Sequence, residues 1–315
     1  MSDRLPPLTA LRAFDAAARH MSFAKAAAEL NVTPAALSFQ IKGLEDYLGA
    51  PLFRRLNRAV ELTEAGHALA PGAAEGFDAL RRAWLATRRV LDTRTLTVTA
   101  GPAFTAKWLA PRLFDFAQTH PDVELRFSAT LRLMDFDRDD VDVAIRFGMG
   151  GDDRDLYSRV LVREWLTPMV PPRLAEGLKT PADLLKLHLL EDGNLDFVDP
   201  PCNWATWFTA MGVPNPPEVK PQFSQADHAI DAAETGGGVV LGRASLTAKA
   251  LQEGRLVIPF PTAITTEAHY RVLCTQEASE KPQVKAFLSW LFDHVEEITA
   301  LDHGMTFINS ADVKT

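Results

Sequence analysis

Cysteine is nearly absent from the chain: Cys202 and Cys274 are the only two in 315 residues. So few, so far apart, do not build a disulfide-stapled secreted scaffold, and they fit free thiols in a reducing compartment. There is no run of 18 or more apolar residues, so no membrane-spanning helix is expected. The opening MSDRLPPLTALRAFD lacks the long apolar core of an export signal and carries Asp3, Arg4, Arg12 and Asp15, which argues for the cytosol. The eight histidines show no H-x-x-x-H spacing, so no metal site is implied. GMGGDD lacks the G-x-G-x-x-G spacing of a dinucleotide loop. DFDRDDVDVAIR resembles a calcium loop, but Asp140 stands at its sixth position and Arg146 at its twelfth, so it reads as a solvated acidic helix. No Ser/His/Asp or Cys/His set stands out. An enzyme and a cofactor are therefore not expected, and no repeat or low-complexity segment occurs.

Positive charge is scarce overall and unevenly placed. The net charge is −8, which alone speaks against a nucleic-acid partner. Residues 1–58, however, hold eight Lys and Arg against five Asp and Glu, a surplus of three that leaves −11 on the remainder. A mildly basic head sits on an acidic body.

The head reads as helices. Thr9 can cap a first helix with Leu11, Phe14 and Ala18 on one face, and Ser22 a second, FAKAAAELN, whose alanines permit a close helix crossing. Asn31 suits a left-handed helix end, and Val32 can then drop into the core. Thr33 caps a third helix with Pro34 at its first position, where the missing N–H costs nothing. Leu37, Ile41, Leu44 and Leu48 form its buried stripe, leaving Ala35, Ser38, Phe39 and Lys42 on or beside the opposite face, and Gly49 ends it. PLFRRLNRAVELTEAG then reads as two short strands about a basic turn, a β-wing. From Thr63 to about Leu91 a long helix repeats Phe77, Leu80, Trp84, Thr87 and Leu91 as a seam. That seam either pairs with a second chain or packs on its own domain. Pro71, Gly72 and Gly76 predict a bend or weak point near its start.

From Thr95 strands and helices alternate over some two hundred residues. LTVTAG, VELRFSAT, VDVAIRFG, LTPMV, HLLED, GGVVLG and HYRVLCT read as strands. AFTAKWLAPRLFDFAQTHP, NWATWFTAMG, ADHAIDAAETG, RASLTAKALQEG and the amphipathic PQVKAFLSWLFDHVEEITA read as helices. The pattern predicts an α/β body with a mainly parallel sheet, possibly in two lobes, and a polar, frayed tail after Ala300.

The landmarks LRAF, SFAKAAAEL, VTPAALSFQIKGLE, LGAPLF and LTEAG resemble the DNA-binding head of LysR-type transcriptional regulators. The likeness continues through LTVTAGPAFTAKWLAPRL, HPDVEL, DDVDVAIRFG and GGGVVLG, and is greatest to the subgroup of glycine-cleavage and β-lactamase regulators. It implies an N-terminal winged helix-turn-helix (1–62), a long dimerising linker helix (63–93), a two-lobed periplasmic-binding-protein-like effector domain (94–300) and a tail (301–315). It also implies double-stranded DNA and a small-molecule effector as partners, a homodimer through the linker helix, and assembly as a homotetramer.

By that resemblance the third helix enters the major groove with Thr33, Pro34, Ala35, Ala36, Ser38 and Phe39, helped by Gln40 and Lys42. Pro34 stands where Gln is frequent and Phe39 where Arg or His is usual. Phe39 then either touches thymine methyls or packs on the helix crossing. Arg54, Arg55 and Arg58 contact phosphate or the minor groove, or sit on a merely solvated turn. In the body the resemblance places Ala103, Phe104, Thr105, Thr130, Arg146, Ser224, Gln225, Gly237 and Gly238 at the effector cleft, with Asp192 and Trp204 weaker candidates. Arg146 suits a carboxylate or amino-acid-like effector, or else an inter-strand ion pair. A solute-binding protein and an α/β enzyme are the alternatives: the first has no use for residues 1–90, the second needs a catalytic set that is not evident.

Overall fold

Capping and a helical stripe of apolar residues account for most of the N-terminal unit. A computed structural model describes residues 5–55, 60–92, 94–151 and 153–313, without the side chains of residues 55, 86, 89, 90 and 194. The chain divides into two units, Met1–Leu91 and Asp92–Thr315.

In the first unit, helix α1 (Leu8–His20) buries Leu11 and Phe14. It begins at Leu8, with Pro7 at its cap, so Thr9 lies inside the first turn rather than capping it. Helix α2 (Phe23–Glu29) is capped by Ser22, whose hydroxyl accepts from the Lys25 N–H at 3.4 Å. Buried Ala26 and Ala27 let it approach its neighbours closely. Asn31 is left-handed, with φ 53°. Val32, expected in the core, is exposed, and its N–H instead closes the end of α2 by donating to the Ala27 carbonyl at 3.0 Å.

Helix α3 (Pro34–Leu48) starts on Thr33, whose hydroxyl accepts from the Ala36 N–H at 3.1 Å, and stops at Gly49 with φ 78°. Leu37, Ile41 and Leu44 are buried, whereas Leu48 is exposed, because it lies in the last turn, past the end of the core. Strands β1 (Phe53–Arg55) and β2 (Val60–Leu62) pair antiparallel as the expected wing. Helix α4 (Glu64–Leu91) is capped by Thr63, which accepts from Gly66 N–H at 3.1 Å and donates to the Pro51 carbonyl at 2.7 Å. It remains helical through Pro71, Gly72 and Gly76. Its first half packs on the head through Leu69, Ala73 and Phe77, while Leu80, Trp84 and Leu91 are exposed.

The second unit is built on one mixed sheet. In chain order it contains β3 (Thr95–Ala100), α5 (Pro102–Phe104), α6 (Leu113–Thr119), β4 (Glu124–Ala129), β5 (Val143–Gly148), β6 (Leu156–Met169) and α7 (Pro172–Ala175). Then follow β7 (Leu189–Leu190), α8 (Trp204–Ala210), α9 (Ala226–Glu234), β8 (Val239–Arg243), α10 (Ala244–Gln252), β9 (Thr262–Thr275), α11 (Gln276–Ser279), α12 (Pro282–Thr299) and β10 (Thr306–Asn309). The strand order is β4-β3-β5-β9-β6-β8-β7, with β10 beside β9. The expected mainly parallel sheet is corrected to a mixed one, since β9 runs antiparallel to both β5 and β6, and β6 antiparallel to β8.

Strands β6 and β9, each 14 residues long, contribute to two packed clusters. One is centred on Phe104, Trp108, Phe116 and Phe287, the other on Trp204, Trp207 and Phe208. Three further expectations are revised. The segment from Ala103 to Pro121 is not a single helix: a π turn (Thr105–Leu109) and a 3₁₀ turn (Ala110–Arg112) separate α5 from α6, and Pro111 has no N–H to continue the ladder. The acidic stretch around Asp135 forms hydrogen-bonded turns rather than a helix. The tail does not fray, because Thr306–Asn309 pairs in parallel with Thr262–Thr265.

Candidate nucleic-acid interface and ligand cleft

On the head, the buried stripe of α3 fixes what its other side presents. Thr33, Pro34, Ala35, Ala36, Phe39 and Lys42 are exposed, and Ser38 and Gln40 half-buried. Phe39 is 75% exposed, so it does not pack on the helix crossing within this unit. It lines a shallow groove with Ala35, Ser38 and Lys42 that continues to Gly49 and Pro51. Arg54 is exposed on β1. The Arg55 side chain and the whole of Arg58 lie outside the described residues.

Two supports of this face were not anticipated. Glu45 accepts from the N–H groups of Leu52 at 2.8 Å and Phe53 at 3.2 Å, tying α3 to the start of the wing. Arg19 binds Asp15 at 3.1 Å and both Glu29 oxygens at 3.0 and 2.6 Å, locking α1 to α2. The Arg19 and His20 bonds hold the Glu29 carboxyl down at about 2.

In the body, a cavity of about 640 Å³ opens beside the ends of β3 and β5. Of the expected effector residues, Ala103, Phe104, Arg146 and Gln225 line it. Thr105, Thr130, Ser224, Gly237 and Gly238 do not. Thr105 instead donates back to the Gly101 carbonyl at 2.8 Å, and the Thr130 hydroxyl accepts from the Arg132 N–H at 3.1 Å. Ser224 is exposed outside the cavity. Gly238 (φ 158°) serves β7–β8 pairing: a Cβ there would stand 2.1 Å from the His188 carbonyl oxygen. Gly237 packs against the Ala232 carbonyl in the same way. Trp204 is a core residue whose indole N–H reaches the Leu190 carbonyl at 3.0 Å. Asp192 bridges to Phe223 and is not among the lining residues.

Arg146 is the polar feature of the cavity that the sequence did announce. It donates to the Thr99 carbonyl at 3.2 Å, the Ile145 carbonyl at 2.9 Å and the Arg132 carbonyl at 3.2 Å. Among the described residues no carboxylate pairs with it, and its Nε has no partner. The expected alternative, an inter-strand ion pair, is therefore not formed. Burial and the nearby Arg132 charge both draw its pKa below the usual arginine range. Burying a cation costs free energy unless it is paired, and an arginine pairs well with a carboxylate.

Gly101 and Pro102 of the GPAF turn line the cavity as well, whereas Arg243, Tyr270 and Arg271 went unread in the sequence. Arg243, buried at the end of β8, lays its guanidinium 4.8 Å from the Phe147 ring centroid, and its Nε too is unpartnered. Tyr270 lies between Phe104 and Phe147, tilted against both rings, with centroids 4.4 and 5.0 Å away. Arg271 and Asp153 are paired with each other. Behind this wall Glu164 is fully enclosed and accepts from the hydroxyl and the N–H of Ser245. Burial raises its pKa against the opposing pull of Arg243. Leu131 and Leu133 stand out in a polar loop, and that contrast was a usable signal.

A winged helix with an exposed face on its third helix, followed by an α/β unit with a cleft, is the architecture of a DNA-binding regulator with an effector-binding domain. The chain belongs to the LysR family of bacterial transcriptional regulators. Residues 8–67 match the bacterial regulatory helix-turn-helix protein, lysR family, and residues 90–296 match the LysR substrate binding domain. It is 40% identical over 296 residues to the glycine cleavage system transcriptional activator of Escherichia coli (strain K12), covering 92% of this chain and 94% of that one. It is 37% identical over 289 residues to the HTH-type transcriptional activator AmpR of Pseudomonas aeruginosa, covering 91% and 95%. The solved effector domain of that AmpR superposes with a TM-score of 0.53 at 33% identity, covering 67% of this chain and 98% of that structure. The family and these relatives are regulators, not enzymes. No helix among the described residues is long and apolar enough to cross a membrane.

Proposed function

We propose that this LysR regulator reads duplex DNA through α3 and the β1–β2 wing, and that a carboxylate or amino-acid-like effector in the body cleft gates its DNA binding or activation. The observation that carries the reading is the two-sidedness of α3: Leu37, Ile41 and Leu44 are sealed in the head, while Pro34, Ala35, Ala36, Phe39 and Lys42 are open. Thr33, Pro34, Ala35, Ala36, Ser38 and Gln40 share that face or its edge, and Arg54, Arg55 and Arg58 supply phosphate contacts from the wing. Phe39 offers no hydrogen bond and reads thymine methyl groups.

Residues 1–62 form the DNA-binding head, 63–93 the linker and 94–300 the effector domain, to which the 301–315 segment is joined by β10. The exposed Leu80, Trp84 and Leu91 of α4 pair two chains, and two dimers make a tetramer. A DNA partner places the protein in the cytoplasm. An effector moves this assembly only by binding one arrangement better than another.

A gel shift of the purified protein on the DNA upstream of its own gene, with and without carboxylates and amino acids, tests the reading. A salt-sensitive, sequence-specific complex altered by one of them is expected. A protein that shows no preference for that DNA over random duplex overturns it.

A further inference from the structure

The cleft is amphipathic, and its two parts are arranged in a way that names a ligand class. Its polar part is Arg146, held by backbone carbonyls with no carboxylate paired to it among the described residues, and Arg243, whose Nε has no partner and whose guanidinium lies over the neighbouring Phe147. Tyr270 and the carboxylates of Asp192, Glu164 and Asp227 act on Arg243 through space. The only lining carboxylate among the described residues, Asp153, is already committed to Arg271 and to the Ser158 hydroxyl.

The apolar part is far larger. Phe104, Tyr270, Phe147 and Phe197 form a continuous run of ring contacts, ending with Phe197 edge-on to Phe147 at 5.9 Å and 52% exposed. Leu131 and Leu133 also line the cavity, yet are 59% and 83% exposed. Large apolar side chains left open around a cavity gain by being covered. A volume of about 640 Å³ falls in the range that takes ligands of drug size, and a two- or three-carbon acid leaves most of it unfilled.

We infer that the cleft takes a carboxylate bearing an aromatic or comparably bulky apolar group. Its anionic end lies at Arg146, and its apolar body lies against Phe197, Leu131 and Leu133. This rests on the body cleft being the effector site, and it goes further by excluding small acids as the preferred ligand.

Calorimetric titration of the full-length protein with acetate, phenylacetate, 3-phenylpropionate and the neutral phenylacetamide tests it. The two aryl acids are expected to bind at least about tenfold more tightly than acetate, the ratio that covering about 60 Å² of apolar surface produces. They are also expected to bind at least about tenfold more tightly than the amide, which lacks the charge. Arg146→Gln should bring acid and amide to parity. Leu133→Ser, a change at an exposed position with no folding risk, should weaken the aryl acids and leave acetate unchanged. Acetate binding as tightly as the aryl acids, the amide matching the acid in the unmodified protein, or no saturable binding by any of the four overturns the inference. These titrations need no DNA, so their failure beside an intact gel shift refutes the ligand class alone. Failure of the gel shift beside a tenfold aryl preference refutes the regulatory reading alone.

Discussion

The Glu45 carboxylate and the Leu52 N–H lie 2.8 Å apart, and this one bond, with its companion to the Phe53 N–H, sets where the wing leaves α3. Charge-assisted bonds of this kind contribute about 1.5–3 kcal/mol when partly buried. Glu45→Ala is therefore expected to destabilise the head by about 1–3 kcal/mol in denaturant unfolding. It should also weaken DNA binding without touching a base-reading residue. Unaltered unfolding would mean that the wing is held by its apolar contacts alone.

Phe39 has little packing to lose. Phe39→Ala should change stability by no more than about 0.5 kcal/mol. On a library of binding sites it should flatten the preference for thymine at one position per half-site, and Phe39→Arg should move that preference toward guanine. A base preference identical in all three proteins would remove Phe39 from readout.

Trp84, 67% exposed within its own unit, sits on the seam of α4 with Leu80. The double variant Leu80→Asp, Trp84→Asp should sediment as a folded monomer, with circular dichroism unchanged. Retention of the dimer would place the contact elsewhere.

Glu191 supplies a pH signature. Burial, then the charges of Asp192 and Asp196, push its carboxyl up to about 8 from an ordinary 4.5. Between those values the folded chain holds a proton that the unfolded chain has lost, so the contribution to stability falls as pH rises from about 4.5 to about 8. Glu191→Gln should be neutral near pH 4 and stabilising at pH 8. After allowance for partial exposure the gain is at least about 1 kcal/mol, or about 2–4 °C in Tm. Parallel pH–stability curves for the two proteins would contradict this.

The head was legible because its signals are local. Ser22, Thr33 and Thr63 accept the bonds that their positions announce, and Leu37, Ile41 and Leu44 are buried at helical spacing. Leu48 departs from expectation because periodicity says which side of a helix an apolar residue takes, not whether the core reaches that far; Val32 lies in the turn between α2 and α3, where no periodicity applies. In the body, Arg146 could be picked out as a cation at a strand end. Arg243 could not, because its meaning depends on a Phe147 ring brought to it by a sheet in which β9 and β6 lie between β5 and β8. The first half of β6 escaped notice because Ser158, Arg159 and Arg163 hide the strand pattern, and β10 because its pairing partner lies some forty residues earlier.

The long strands β6 and β9 belong to both packed clusters, so the halves of the body are joined by ladder rather than by slack loop. Any change in their mutual angle is a torsion of paired backbone. The ladder already skips between Val160 and Val162 and again between Arg163 and Trp165, and at those two slips a twist sacrifices the fewest bonds. Whatever alters the angle between the two halves therefore has to work against paired backbone within the sheet, not against a free hinge loop.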